Sequence, residues 1–248
     1  MKLSDIIFVP SVQHTGTWFI LKLLKQFNYN IVDSKRLLED GMSIDNPSII
    51  QTHFPIESVD GKPFELGKCM DVNSISAMSK IFKTVIPVRD PLASILTREV
   101  RHPELRHFYI VDGFINMAER LAKNSKVFFF PVDLPELCRK RMEKAGETEE
   151  EIEMRVLNMR KLLIINVLNH CDIEIEEGKV DRIASRWTPE NETPNNVFKP
   201  IYQERDKERL EYLLGSKMAE VTYLKNKASI ILPFLAKLGY TKGDLNLW

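Results

Sequence analysis

The stretch Phe8–Leu24, FVPSVQHTGTWFILKLL, passes from an apolar run through a short polar turn into a helical pattern. Ile6–Pro10 reads as a core strand. From Thr17 to Phe27, Ile20, Leu23, Leu24 and Phe27 share one helical face, and Lys22, Lys25 and Gln26 share another. A helix start offers unpaired backbone N–H groups and the positive end of the macrodipole, so the turn between the two elements suits an anion. Gly16 permits close backbone approach, while Thr15, Thr17 and His14 add side-chain donors. An ordinary strand-to-helix turn capped by threonine is the plain alternative. The turn lacks the Gly-Lys-Ser/Thr ending whose lysine reaches the β/γ-phosphates and whose hydroxyl holds magnesium. A single phosphate ester therefore fits it better than a metal-bound triphosphate.

Further along, IFKTVIPV (Ile81–Val88) and KVFFFP (Lys126–Pro131) read as two more buried strands. After the first, Asp90 can N-cap a helix with Pro91 at its first position. Helices are expected around Gly113–Ala122, at Leu134–Lys144 and at Thr148–Leu168, the last opening with a Thr148-x-x-Glu151 capping box. Trp187–Pro200 reads as a long loop. Two helices, Glu204–Leu214 and Lys217–Leu238, follow; Pro233 is expected to kink or interrupt the second, and Gly239 to stop it. Strands alternating with helices imply an α/β fold, a mostly parallel central sheet flanked by helices. Residues 1–248 are expected to form one domain with a helical and loop-rich insertion at about 134–203.

Composition narrows the function. A chain of 248 residues buries roughly three quarters of its unfolded surface and needs no staples. Lysine plus arginine and aspartate plus glutamate both number 35, so any anion site must be local, and neither nucleic acid nor a membrane surface is an expected partner. Cys69, Cys138 and Cys171 form no CxxC pair, which points away from a zinc site or a disulfide framework and towards a reducing compartment. MKLSDIIFVP is too short and too acidic for a signal peptide, and no apolar run reaches the ~18 to 20 residues of a membrane span. A cytoplasmic location is expected.

Three other segments carry candidate chemistry. Arg89 ends a strand at the edge where ligands of such sheets bind. Beyond it Ser94, Thr97 and Arg101 share a helix face bordered by Arg98. A fixed guanidinium plus a hydroxyl makes a cradle for a second phosphate; pairing of Arg89 with Asp90 or a helix carboxylate is the competing reading. In IIQTHFP, His53 follows a short apolar run and could act as a base near neutrality, or be a satisfied loop histidine. Asp133 reads as a structural N-cap, and Trp18 reads as a core residue first and an adenine platform second.

In order and spacing these segments resemble the sulfotransferases that use 3′-phosphoadenosine 5′-phosphosulfate (PAPS). The resemblance implies a P-loop-like nucleotide-binding fold of the sulfotransferase type. Where that family grips the 5′-phosphate with a P-K-S-G-T-T-W loop, this chain has QHTGTWF. Gly16 and Thr17 keep their types, Thr15 stands for the serine and His14 for the lysine. The family's K-T-H-L-P, whose histidine is the catalytic base, corresponds to QTHFP, with His53 in that place and Gln51 where lysine is common. Its 3′-phosphate site, a strand-ending arginine with a serine eight residues on, falls on Arg89 and Thr97, with Ser94 as the substitute. VFFFPVDL and LPFLAKLGY match a later strand and the closing helix; Met142–Tyr202 matches poorly, and only Arg186 and Lys199 offer charge for the family's missing basic loop.

By resemblance, the implied function is transfer of a sulfuryl group from PAPS to a hydroxyl or amine of a small-molecule or carbohydrate acceptor, without a metal. His53 and His14 would be catalytic; His14, Thr15, Gly16, Thr17, Trp18, Arg89, Ser94 and Thr97 would bind the nucleotide. The alternatives are a P-loop kinase-like phosphotransferase and a non-catalytic nucleotide-binding protein on the same fold. His14 and Gln51 in place of lysines favour the latter.

Overall fold

Ile6–Ser11 forms β1, with every residue buried. Successive residues face opposite sides of a strand, so Ile6 and Phe8 join one apolar cluster while Ile7 and Val9 join another. A strand buried on both faces needs helices on both, the usual setting of a parallel sheet. The computed structural model describes residues 5–13, 15–33, 47–55, 69–95, 107–187, 211, 215 and 217–245. Beside β1 lie β2 (Asn30–Asp33), β3 (Ser48–His53), β4 (Lys83–Val88) and β5 (Val127–Pro131), all paired in parallel in the order β2-β3-β1-β4-β5. The expected α/β fold, a parallel sheet flanked by helices, is therefore the observed one.

Among the described residues the helices, besides a short segment at 91–95, are α1 (Thr17–Lys25), α2 (Val72–Ile81), α3 (Phe108–Asn116), α4 (Leu134–Lys144), α5 (Glu149–His170), α6 (Glu177–Arg186), α7 (Met218–Asn226) and α8 (Ala228–Lys237). α1, α5 and α6 cover the Ile7/Val9 face, where Trp187 at the end of α6 packs 4.3 Å from Phe19 and 5.5 Å from Phe130 between ring centroids. α2, α3, α7 and α8 cover the other face. The expected capping box is present: Thr148 Oγ1 accepts from the Glu151 amide, and the Glu151 carboxylate accepts from the Thr148 amide.

Three boundaries differ from expectation. Ile81 closes α2 with 49% of its surface exposed, and the strand starts only at Lys83. The helix expected from Gly113 starts at Phe108 and runs into a π-helical turn, Met117–Leu121. The closing helix breaks at Lys227, not at Pro233. Lys227 leaves helical geometry (φ −99°, ψ 8°) and serves as C-cap of α7 and N-cap of α8, while Pro233 lies inside α8. A proline there sacrifices one backbone bond, and the buried Ile231, Phe234 and Leu235 hold the turn around it. Gly239 takes the expected left-handed stop conformation at φ 95°. Nearly all of the expected Glu204–Leu214 helix and of the Trp187–Pro200 loop lies outside the described residues; residue 211 is helical.

Candidate functional site

β1 pairs with β3 along its whole length but with β4 only at Ile7–Lys83 and Phe8–Thr84. The chain goes from β1 to β2 and β3 on one side of it and then crosses to β4 on the other. That is the switch point at which parallel α/β sheets place their ligands.

Ser11 ends β1 there, and Thr15, Gly16 and Thr17 lead into α1. Thr15 is fully buried and its hydroxyl donates to the Val12 carbonyl over 2.7 Å, so it shapes the turn from inside. Gly16 adopts φ 101° and ψ 24° at the N-cap of α1, and no side chain caps the helix. A Cβ at Gly16 would meet Val132 Cγ2 at 2.7 Å, so the glycine is required both for its backbone conformation and for its closeness to the residue after β5. Gly113 of α3 does the same from the other layer, since a Cβ there would meet Val12 Cγ2 at 2.4 Å. The amides of Gly16, Thr17 and Trp18 face no protein acceptor among the described residues, and the first turn of α1 carries no acidic side chain. This is the donor arrangement of an anion site. Trp18 is 64% exposed and not a core residue, because the buried side of α1 is taken by Phe19, Ile20, Leu23 and Leu24. His14 lies outside the described residues.

His53 ends β3 in register with Ser11. Its Nδ1 is 3.0 Å from Ser11 Oγ, which receives a 2.7 Å hydrogen bond from Thr17 Oγ1. The Gln51 amide nitrogen lies 3.2 Å from His53 Nε2. The structure thus joins the half-buried histidine to the anion turn through a hydroxyl that the sequence analysis passed over. A serine at the end of the wholly buried strand IIFVPS was the available signal.

Arg89 follows β4 at the same sheet edge: Val132, which touches Gly16, donates its amide to the Val88 carbonyl. Its side chain is 4% exposed, and Nε lies 3.9 Å from Asp133 Oδ2. Asp133 does not cap α4 with its side chain. Its carboxylate accepts from the Asp90 amide at 3.1 Å and from the Tyr240 hydroxyl at 2.5 Å. Asp90 caps the helical segment at 91–95 as expected, through a 2.9 Å bond from Leu92 N. Ser94 is fully buried and donates back to the Asp90 carbonyl. Thr97, Arg98 and Arg101 lie outside the described residues. Arg186 lines a cleft of about 360 Å³ with Lys22, Lys25 and Arg182 on the flank of α1.

Burial, then the neighbouring Asp133 carboxylate, pushes the Asp90 pKa up to about 7. Burial also raises Asp133, opposed by Arg89, and raises the Tyr240 hydroxyl well above its usual range. A carboxyl whose folded pKa is raised adds stability that is complete below its unfolded pKa, about 3.9, and is lost as pH rises through the folded value. Thermal unfolding should therefore show Asp90→Asn gaining on the unsubstituted protein between pH 4 and 7, at up to about 1.4 kcal/mol per pH unit. Parallel curves for the two proteins would refute this.

Among the described residues no group of three or more His, Cys, Asp or Glu could hold a metal ion, and no helix is long and apolar enough to cross a membrane. No protein-family model and no curated protein matches the chain. Among solved structures, mouse sulfotransferase SULT7A1 complexed with PAP is similar in course. It is 12% identical, with a TM-score of 0.48, and the match covers 91% of this chain and 89% of that chain.

Proposed function

We propose that the protein is a PAPS-dependent sulfotransferase acting on a hydroxyl or amine of a small molecule or carbohydrate. The observation that carries this reading is the hydrogen-bonded line from the turn before α1, through Thr17 and Ser11, to His53 at the switch point of the sheet. It sets a general base beside an anion cradle without any lysine or acidic metal ligand in the turn. The likeness of the motifs to the sulfotransferase pattern points the same way.

In this reading the amides of residues 16–18 hold the 5′-phosphate, the Thr17 hydroxyl being given to Ser11, and the exposed Trp18 indole stands beside the cradle. Arg89, seated by Asp133, offers its guanidinium to the 3′-phosphate. PAPS supplies the sulfuryl group: the acceptor oxygen bonds to sulfur as the sulfur–oxygen bond to the 5′-phosphate breaks. His53 takes the acceptor's proton, which leaves an imidazolium. The donors at the start of α1 meet the charge gathering on the departing phosphate oxygen; fixed donors of this kind are worth about 3 to 4 kcal/mol each.

The burial of Arg89 beside the Asp133 and Asp90 carboxylates favours a second reading, a nucleotide-binding protein without transfer activity. Incubating cell extract with PAPS and the protein, then searching by mass spectrometry for a gain of one sulfuryl unit, separates the two. The first reading expects a sulfated product absent without the protein. Stabilisation by adenosine 3′,5′-bisphosphate with no product over a broad acceptor panel supports the second, and no stabilisation at all rejects both.

A further inference from the structure

The hydroxyl of Ser11 has one proton and two lone pairs, and three groups surround it. Thr17 Oγ1 donates to it over 2.7 Å, His53 Nδ1 lies at 3.0 Å, and the Thr52 carbonyl oxygen lies at 3.5 Å. A carbonyl can only accept, so the Ser11 proton is directed to Thr52. One lone pair then serves Thr17, and the other faces His53. The Ser11 carbonyl oxygen, 3.4 Å from the same Nδ1, is a second group that can only accept. Nδ1 between these two oxygens is stabilised as N–H and would meet repulsion as a bare lone pair. Across the ring the Gln51 amide NH₂, a donor, stands 3.2 Å from Nε2.

We propose that Ser11 and Gln51 are positioning residues that fix neutral His53 as the Nδ1–H tautomer, with its lone pair on Nε2. The proposal deepens the transferase reading, in which Nε2 is then the atom that receives the acceptor's proton. Gln51 covers that lone pair until the acceptor hydroxyl displaces it. The displaced amide is left beside the acceptor oxygen, where a lysine at the same position would bring charge instead of a neutral donor. Thr17, which donates to the same Ser11 oxygen, places this serine between the histidine and the start of α1.

The test is two-bond ¹H–¹⁵N correlation spectroscopy on the full chain labelled with ¹⁵N-histidine, at a pH where the imidazoles are neutral. His53 is assigned by its loss in His53→Gln. The unsubstituted protein should show the Nδ1–H pattern. Ser11→Ala should raise the Nε2–H share of His53, with the Ser11 carbonyl and the Gln51 amide still holding the remainder as Nδ1–H, and Thr17→Val, which leaves Ser11 in place, should not. An Nε2–H pattern in the unsubstituted protein overturns the proposal whether or not Ser11→Ala folds. So does an unchanged pattern in a folded Ser11→Ala protein. These spectra need no PAPS, so an inactive protein with the expected tautomer would sink the transferase reading and leave this one standing.

Discussion

Gly16→Ala is expected to abolish binding of adenosine 3′,5′-bisphosphate and to lower stability at the same time. Two independent costs meet at this position. A residue with a Cβ held at φ 101° carries strain of about 1 to 3 kcal/mol. The added methyl would also lie 2.7 Å from Val132 Cγ2, so either Val132 or the turn must move. Val132 is held by the bond from its amide to the Val88 carbonyl, which leaves the turn as the part that gives. A shift there misdirects the amides at the start of α1. Gly146→Ala supplies the control, since Gly146 has φ 79° but nothing within 4 Å of the methyl that alanine would add. Chemical denaturation and calorimetric titration of both variants should show Gly146→Ala losing stability alone and Gly16→Ala losing stability and binding. Wild-type affinity in Gly16→Ala would remove the anion turn from the site.

His53→Ala is the second large effect. Loss of a general base lowers turnover by about 10²- to 10⁴-fold. His53 belongs to β3, whereas the anion donors belong to the turn before α1 and Arg89 follows β4. Affinity for adenosine 3′,5′-bisphosphate should therefore stay within a few-fold while transfer falls by that factor. A drop of similar size in both quantities would make His53 a support of the turn, acting through Ser11 and Thr17, and not the base.

The parts of the fold that could be read from the sequence are those whose cause is local. β1 and α1 announce themselves because one is apolar throughout and the other carries a clear helical face. The Thr148–Glu151 box and the Asp90 cap are also local signals. β2 is a four-residue edge strand, and α2, VNSISAMSKI, buries only Ile75 and Ser79, so neither carries a strong periodic pattern. The site divides in the same way. Thr15, Gly16 and Thr17 follow from the motif, but the partners that decide what Arg89 can do are remote. Asp133 lies 43 residues beyond Asp90, and Tyr240 a further 107 beyond Asp133. Ser11 meets His53 across 42 residues, through the parallel register of β1 and β3, which no local spacing reveals.

Gly113 has a bearing on any attempt to transplant the site. The hollow it leaves admits Val12, so the backbone that carries the anion turn is braced by α3 from the opposite layer of the protein. A chimera that imported residues 8–24 into a related scaffold without a small residue at that point of the helix corresponding to α3 would receive the motif and lose its shape.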